Sequence, residues 1–258
     1  MKKFYLIAAM TLCALTASAQ QKLTISTYAG TNLANFDGKE CTISMYRYTC
    51  QGWNTISLPF AMSEEQLNET FGSDCRLERL VGVDNEGQSI VLNFQDCKAG
   101  GLEANVPYIL YYSGESATKA VKATALVAQK EAALRFTDKY GTVVTMACAQ
   151  KQTPAEGLYG VLARDNAEAS FVNVDNTANG FYATRCFVKL SNGNSTPLIT
   201  RHLAPTDFTS INAIARPGEA VDVFTLSGVK VASNIRAAEV SSLQPNVYVI
   251  KGHKVLVK

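Results

Sequence analysis

Apolar and polar positions alternate with a period of two along much of the chain. Cys41, Ile43 and Met45 alternate with Thr42, Ser44 and Tyr46, so one face of that stretch turns inward and the other outward. Weaker forms of the same alternation occupy 88–95, 142–147 and 157–162. The stretches 77–83 and 89–95 are strand-like and flank Asp84-Asn85-Glu86-Gly87, whose residues suit a hairpin loop. One helix interrupts the strands over roughly 63–71: Ser63 and Gln66 match a capping box, Leu67 and Phe71 lie four apart, and Gly72 can close the C-terminus. Many short strands with regular turn signals and one short helix predict an all-β protein, an antiparallel β-sandwich with the helix lying over a sheet edge.

The strand rhythm breaks after Thr200. Pro205, Pro217 and Gly218 mark 201–219 as a linker. Beyond it, Val223-Phe224-Thr225-Leu226-Ser227-Gly228-Val229-Lys230-Val231 nearly repeats as Val247-Tyr248-Val249-Ile250-Lys251-Gly252-His253-Lys254-Val255. Each copy reads as strand, two-residue turn with glycine, and returning strand, so 220–258 is expected to be a small C-terminal β-hairpin domain. So short a segment holds little core and is expected to pack on a neighbour or a second copy. The sandwich module then spans 20–200.

Residues 1–19 carry Lys2-Lys3, an apolar run from Phe4 to Leu15, and Ala17-Ser18-Ala19, the three parts of a secretory signal peptide. The run is too short to span a bilayer of about 30 Å, and no later stretch reaches the length a transmembrane helix requires. The expected location is secreted or cell surface, with the periplasm as alternative. Cys13 follows Met10-Thr11-Leu12 and lacks the small residues of a lipidation site. Composition fits a globular protein, with 47% hydrophobic and 18% charged residues. Two of the 24 basic residues are Lys2 and Lys3, so the mature chain is left with 22 basic against 22 acidic residues and no general pull on nucleic acid.

Six cysteines remain beyond Cys13, an even number that in an exported chain permits up to three disulfides. A hairpin centred near residue 86 sets Cys75 opposite Cys97, at a separation a disulfide tolerates. Cys41, Cys50, Cys148 and Cys186 stay unassigned, and the alternative is that all six are reduced and buried. No CxxC pair and no Cys/His cluster is present, so neither a metal site nor a cofactor is expected.

Catalytic signatures are absent: no GxSxG, HExxH, GxGxxG, P-loop or EF-hand loop occurs. His253 falls in a tight turn, and His202 with Asp207 and Ser210 lies on the predicted linker, where triad geometry lacks rigid support. Glu64 and Glu65 complement the dipole at the helix start. No catalytic residue is therefore assigned. Tyr46 and Tyr48 lie on the polar face of their strand and Trp53 follows closely, which suggests a sugar-stacking platform; the alternative places Trp53 and Pro59 in the core.

Two segments resemble known families. The tail from Val221 to Lys258 resembles the C-terminal modules of exported Bacteroidetes proteins, through Leu226-Ser227-Gly228-Val229-Lys230-Val231, Val247-Tyr248-Val249-Ile250 and Lys251-Gly252-His253-Lys254-Val255. It departs from them in carrying Asn246 where they commonly have Gly and His253 where they have Lys. This resemblance implies a type IX secretion sorting domain, with 220–258 engaging export machinery, or a small terminal domain of a surface protein. Over roughly 40–200 the chain resembles a module repeated in large exported proteins of the same bacteria, through Gly52-Trp53-Asn54-Thr55-Ile56-Ser57-Leu58-Pro59-Phe60, Phe71-Gly72-Ser73, Leu102-Glu103-Ala104-Asn105-Val106-Pro107-Tyr108-Ile109-Leu110 and Gly180-Phe181-Tyr182-Ala183-Thr184-Arg185. The combined expectation is an exported, non-enzymatic interaction or adhesion module whose partner is an extracellular protein or glycan. The alternatives are a carbohydrate-binding module around Tyr46, Tyr48 and Trp53, then a carboxylate-dependent hydrolase.

Overall fold

A computed structural model describes residues 21–129, 132–149, 151, 153, 157–162, 169–174, 180–193, 196–203 and 211–257. The predicted signal peptide, Pro205, Asp207 and Ser210 lie outside the described residues. Strands dominate, as the periodicity predicts, and the fold is all-β.

An outer sheet is formed by β1 (Gln21–Ile25), β2 (Glu40–Thr49) and β7 (Ala117–Leu126), in the order β1-β2-β7. β2 and β7 pair antiparallel over their full ten residues, whereas β1 runs parallel to β2. Cys41, Ile43 and Met45 are buried while Tyr46 and Tyr48 face water, so the alternation read from β2 is its real facing.

The middle sheet has the order β13-β5-β4-β6-β3, from β13 (Leu198–Leu203), β5 (Ile90–Asp96), β4 (Arg76–Asn85), β6 (Tyr108–Tyr112) and β3 (Gly52–Ile56). A third sheet has the order β11-β10-β12-β9-β8, from β11 (Ser170–Asn173), β10 (Tyr159–Leu162), β12 (Cys186–Leu190), β9 (Val143–Cys148) and β8 (Leu134–Thr137). Successive residues of a strand point to opposite faces. Tyr108 and Leu110 accordingly join Ile43, Met45 and Val121 in one core, while Ile109 joins Trp53, Val144, Met146 and Val188 in another. The middle sheet is thus apolar on both sides, and the body is a sandwich of three layers rather than two. Two strand pairs, β1 with β2 and β13 with β5, depart from the antiparallel expectation.

Helix α1 (Glu64–Phe71) forms as its capping box predicts: Gln66 N donates to Ser63 Oγ (3.2 Å) and Ser63 N donates to Gln66 Oε1 (2.9 Å). Leu67 and Phe71 seat it on the first core.

β4 and β5 form the predicted hairpin, but it centres between Gly87 and Gln88, with Asn85 opposite Ile90, instead of near residue 86, and a bulge at Val81 recovers only one residue of that shift. Cys97 N donates to Leu77 O (2.9 Å), so Cys97 faces Leu77 and not Cys75. A diagonal neighbour lies about 7–8 Å away, beyond what a disulfide spans without backbone movement. The register therefore removes the basis of the Cys75–Cys97 bridge, and none of the six cysteines is bridged in the structure.

The C-terminal sheet has the order β15-β14-β16-β17, from β14 (Ala220–Thr225), β15 (Lys230–Arg236), β16 (Asn246–Ile250) and β17 (His253–Val257). Both predicted hairpins are present, and Lys251 and Gly252 supply the positive φ angles (50° and 78°) that a tight hairpin turn requires. Val223, Tyr248, Ile250 and Val255 form its own core, and Val247 packs with Val81 and Leu203 of the body. The predicted linker is shorter than 201–219, because β13 continues to Leu203 and α2 (Ile211–Ile214) and β14 lie within or against it. At the joint, Asn246 Nδ2 donates to Val83 O (3.0 Å), and a Cβ on Gly82 would come within 1.9 Å of Asn246 Oδ1. The bare backbone of Gly82 is what admits Asn246.

Candidate functional site

The inward face of β2 does not stay apolar. After Cys41, Ile43 and Met45 the next inward position is Arg47, only 1% exposed. Among the described residues its guanidinium has no carboxylate partner, and it is held by oxygens: Nη1 donates to Thr184 O (2.9 Å) and Thr184 Oγ1 (2.7 Å), and Nη2 donates to Thr55 O. Burial, and then the neighbouring Arg185 guanidinium, pushes Arg47 well below the ordinary arginine range. Arg185 is lowered by burial too; its Nη2 donates to Tyr48 O (2.5 Å) and its Nη1 to Asn54 Oδ1 (3.4 Å).

Thr184 connects these groups under strain. Its φ of 70° lies in the left-handed region, unusual for a β-branched residue and costing about 1–3 kcal/mol. It persists because its backbone is tied on both sides: Thr184 N donates to Ala149 O (2.8 Å), and Thr184 O accepts from Ser57 N (3.1 Å) as well as from Arg47.

Above this socket lies an aromatic shelf. Tyr28, Tyr46 and Tyr48 are 66%, 61% and 52% exposed, and Tyr182 meets Tyr28 edge to face with ring centres 5.0 Å apart. Together with Thr27, Thr118 and Arg185 they surround a recess of about 260 Å³. The backbone of the shelf is fixed, since Thr27 Oγ1 donates to Tyr46 O (3.1 Å) and Arg185 grips Tyr48 O. Tyr46 and Tyr48 are therefore placed where the sequence predicts, joined by Tyr28 and Tyr182, which it does not link to them. Arg47 was detectable as a cation in the inward frame of an alternating strand.

Trp53 does not join the shelf. It is 1% exposed, stacks on His202 (ring centres 4.7 Å apart, 17° between planes), and meets Tyr111 edge to face at 5.4 Å. The alternative placement in the core holds, and Trp53 leaves the sugar-stacking set. His202 lies on β13 rather than on a flexible linker, with Nδ1 2.5 Å from Glu78 Oε2. The carboxylate is buried and the imidazole half-buried against Trp53, and the imidazole Nε2 has no hydrogen-bond partner among the described residues. It contributes packing and a hydrogen-bonding contact, and among the described residues no hydroxyl or thiol is bonded to it.

Among the described residues, no three His, Cys, Asp or Glu side chains gather to hold a metal ion, and no helix is long and apolar enough to cross a membrane. No protein-family model matches the chain, nor does any curated protein or solved structure.

Proposed function

We propose that the protein is an exported, non-enzymatic binding module that engages an extracellular partner through the tyrosine shelf of the outer sheet. One observation carries the reading: Tyr28, Tyr46 and Tyr48 leave half or more of their surface in water at one place, while Trp53 and the large core aromatics are buried. Exposed aromatic rings on a braced backbone offer large contact area at low entropic cost. Export is supported by the signal-like segment 1–19, and the tail 220–258 is read as its contact with export machinery.

A glycan is the partner class that the shelf favours. Tyr46 and Tyr48 are two residues apart on one face of β2, hence about 7 Å along the strand, and each pairs a flat apolar ring with a hydroxyl able to bond a sugar. The test compares the purified chain from residue 20 onward with its Tyr28→Ser/Tyr46→Ser/Tyr48→Ser variant on a glycan array. The expected result is loss of at least tenfold in binding with the unfolding midpoint unchanged. Undiminished binding by the triple variant moves the site elsewhere, and binding to no glycan removes the glycan reading.

A further inference from the structure

Two cysteines that the sequence leaves unassigned are brought face to face. β9 and β12 pair antiparallel with Cys148 directly opposite Cys186. On the same ladder Ser191 N donates to Val143 O (3.0 Å) and Ala149 N donates to Arg185 O (2.7 Å), so odd-numbered positions of β9 are the hydrogen-bonded ones. Cys148–Cys186 is therefore a non-hydrogen-bonded pair, the kind in which opposed Cα atoms approach to about 4.5 Å and side chains lie closest. That separation falls within the range a disulfide spans, at its lower end. The Cys75–Cys97 pair, displaced by two residues, fails the same criterion.

Access is asymmetric in a way that suits stepwise oxidation. Cys148 is half-buried and opens on a recess of about 710 Å³ shared with Asn32, Lys151 and Phe187. Cys186 is fully buried, beneath Arg47 and Arg185. The residues just before Cys186 are Thr184 and Arg185, which hold the socket beneath the tyrosine shelf.

We propose that Cys148 and Cys186 are oxidised to a cross-strand disulfide by a small-molecule or protein disulfide, stapling β9 to β12 directly behind the Thr184–Arg185 turn. The Cys148 thiolate attacks one sulfur of the oxidant, forming a mixed disulfide and expelling one thiolate. Cys186 then attacks the Cys148 sulfur, the second oxidant thiolate leaves, and the protons lost by the two cysteines end on the two released thiols. The protein pair loses two electrons and the oxidant disulfide gains them. That this happens in life rests on the export reading, since reducing compartments oppose it; the chemistry itself does not.

The test equilibrates the folded chain in a buffer of reduced and oxidised glutathione poised to match an oxidising compartment, blocks remaining thiols, and maps tryptic peptides without reduction. The expected product joins 140–151, whose only cysteine is Cys148, to 186–189, whose only cysteine is Cys186. The oxidised form is expected to melt roughly 5–10 °C above the reduced form, and Cys148→Ser and Cys186→Ser each to abolish that difference. Recovery of 140–151 and 186–189 as separate blocked peptides overturns the proposal, as does Cys186 joined to 48–76, the peptide holding Cys50 and Cys75. If the serine variants fold poorly, the peptide map of the unmodified chain still decides. Because the buffer supplies the oxidant, this outcome is independent of whether the chain is exported or its shelf binds a partner.

Discussion

The three-layered body and the C-terminal sheet handle charge in opposite ways. Though it also carries the exposed pair of Arg79 with Glu103, the body buries several charged groups: Arg47 lies between the outer and middle sheets, Glu78 meets His202 beneath Trp53, and Asp84 accepts from Asn93 (3.1 Å) and Arg201 (3.1 Å). The C-terminal sheet keeps an apolar core and leaves its ion pairs, Lys230 with Asp222 and Lys251 with Glu219, at the surface. A middle sheet covered on both faces has nowhere else to put the polar residues of its strands. A sheet with one open face can turn them to water. Charge in the body is thus a structural commitment, and in the tail it is trim around loops.

The sharpest way to break this contrast is Arg47→Ala. It removes three hydrogen bonds and opens a void beneath Thr184, so the expected loss is about 3–5 kcal/mol. Arg47→Met, which keeps most of the volume, is expected to recover part of it. Urea unfolding of both variants is the measurement. A loss below about 1 kcal/mol for the alanine variant means that the socket does not brace the body.

What was legible in the chain follows the same division. β2 shows its alternation because one of its faces is wet. β6, reading Tyr-Ile-Leu-Tyr-Tyr, shows none, because both of its faces are covered. That is why a third layer escaped a reading based on period. The capping box of α1 and the glycine turns of the tail are local signals and were legible as such. The register of β4 on β5 is not local: the hairpin centres between Gly87 and Gln88, with Asn85 opposite Ile90, instead of near residue 86, and this sets Cys97 opposite Leu77, two residues from Cys75. At the candidate site, Tyr46 and Tyr48 could be read from one strand. Tyr28 and Tyr182 could not, because they lie in distant loops that pairing brings together.

The joint between the two regions offers the next effect in size. Gly82→Ala drives a methyl group into Asn246 Oδ1, and the expected cost is about 1–3 kcal/mol. Asn246→Ala loses its bond to Val83 O but clears that space, so the double variant is expected to be more stable than the sum of the single losses predicts. A purely additive pair places the two residues out of contact and leaves the joint to the apolar packing of Val247, Leu226 and Leu256 on Val81 and Leu203.

The smallest effects are in pH dependence, and they run in opposite directions in the two regions. In the body, burial raises the Asp84 carboxyl above the ordinary aspartate range, against the pull of Asn93 and Arg201. Folded Asp84 therefore holds its proton more tightly than the unfolded chain. Its contribution is fully present below the unfolded value of about 4 and is lost as pH rises through the folded value. Asp84→Asn is expected to flatten that part of the stability profile while Arg201 keeps Glu86 at 2.7 Å. In the tail, Asp222 is held down to about 2, first by Lys230, then by Asn234 N and Ser233 Oγ across the irregular β14–β15 pairing. Its contribution is present above about pH 4 and is lost as pH falls through the folded value. Carboxyl carbon shifts followed by NMR test both at once: the Asp84 midpoint is expected above the ordinary aspartate value, and the Asp222 midpoint near 2. Coincident midpoints mean that the buried and exposed carboxylates share one environment, and the contrast between body and tail then fails at the level of single residues.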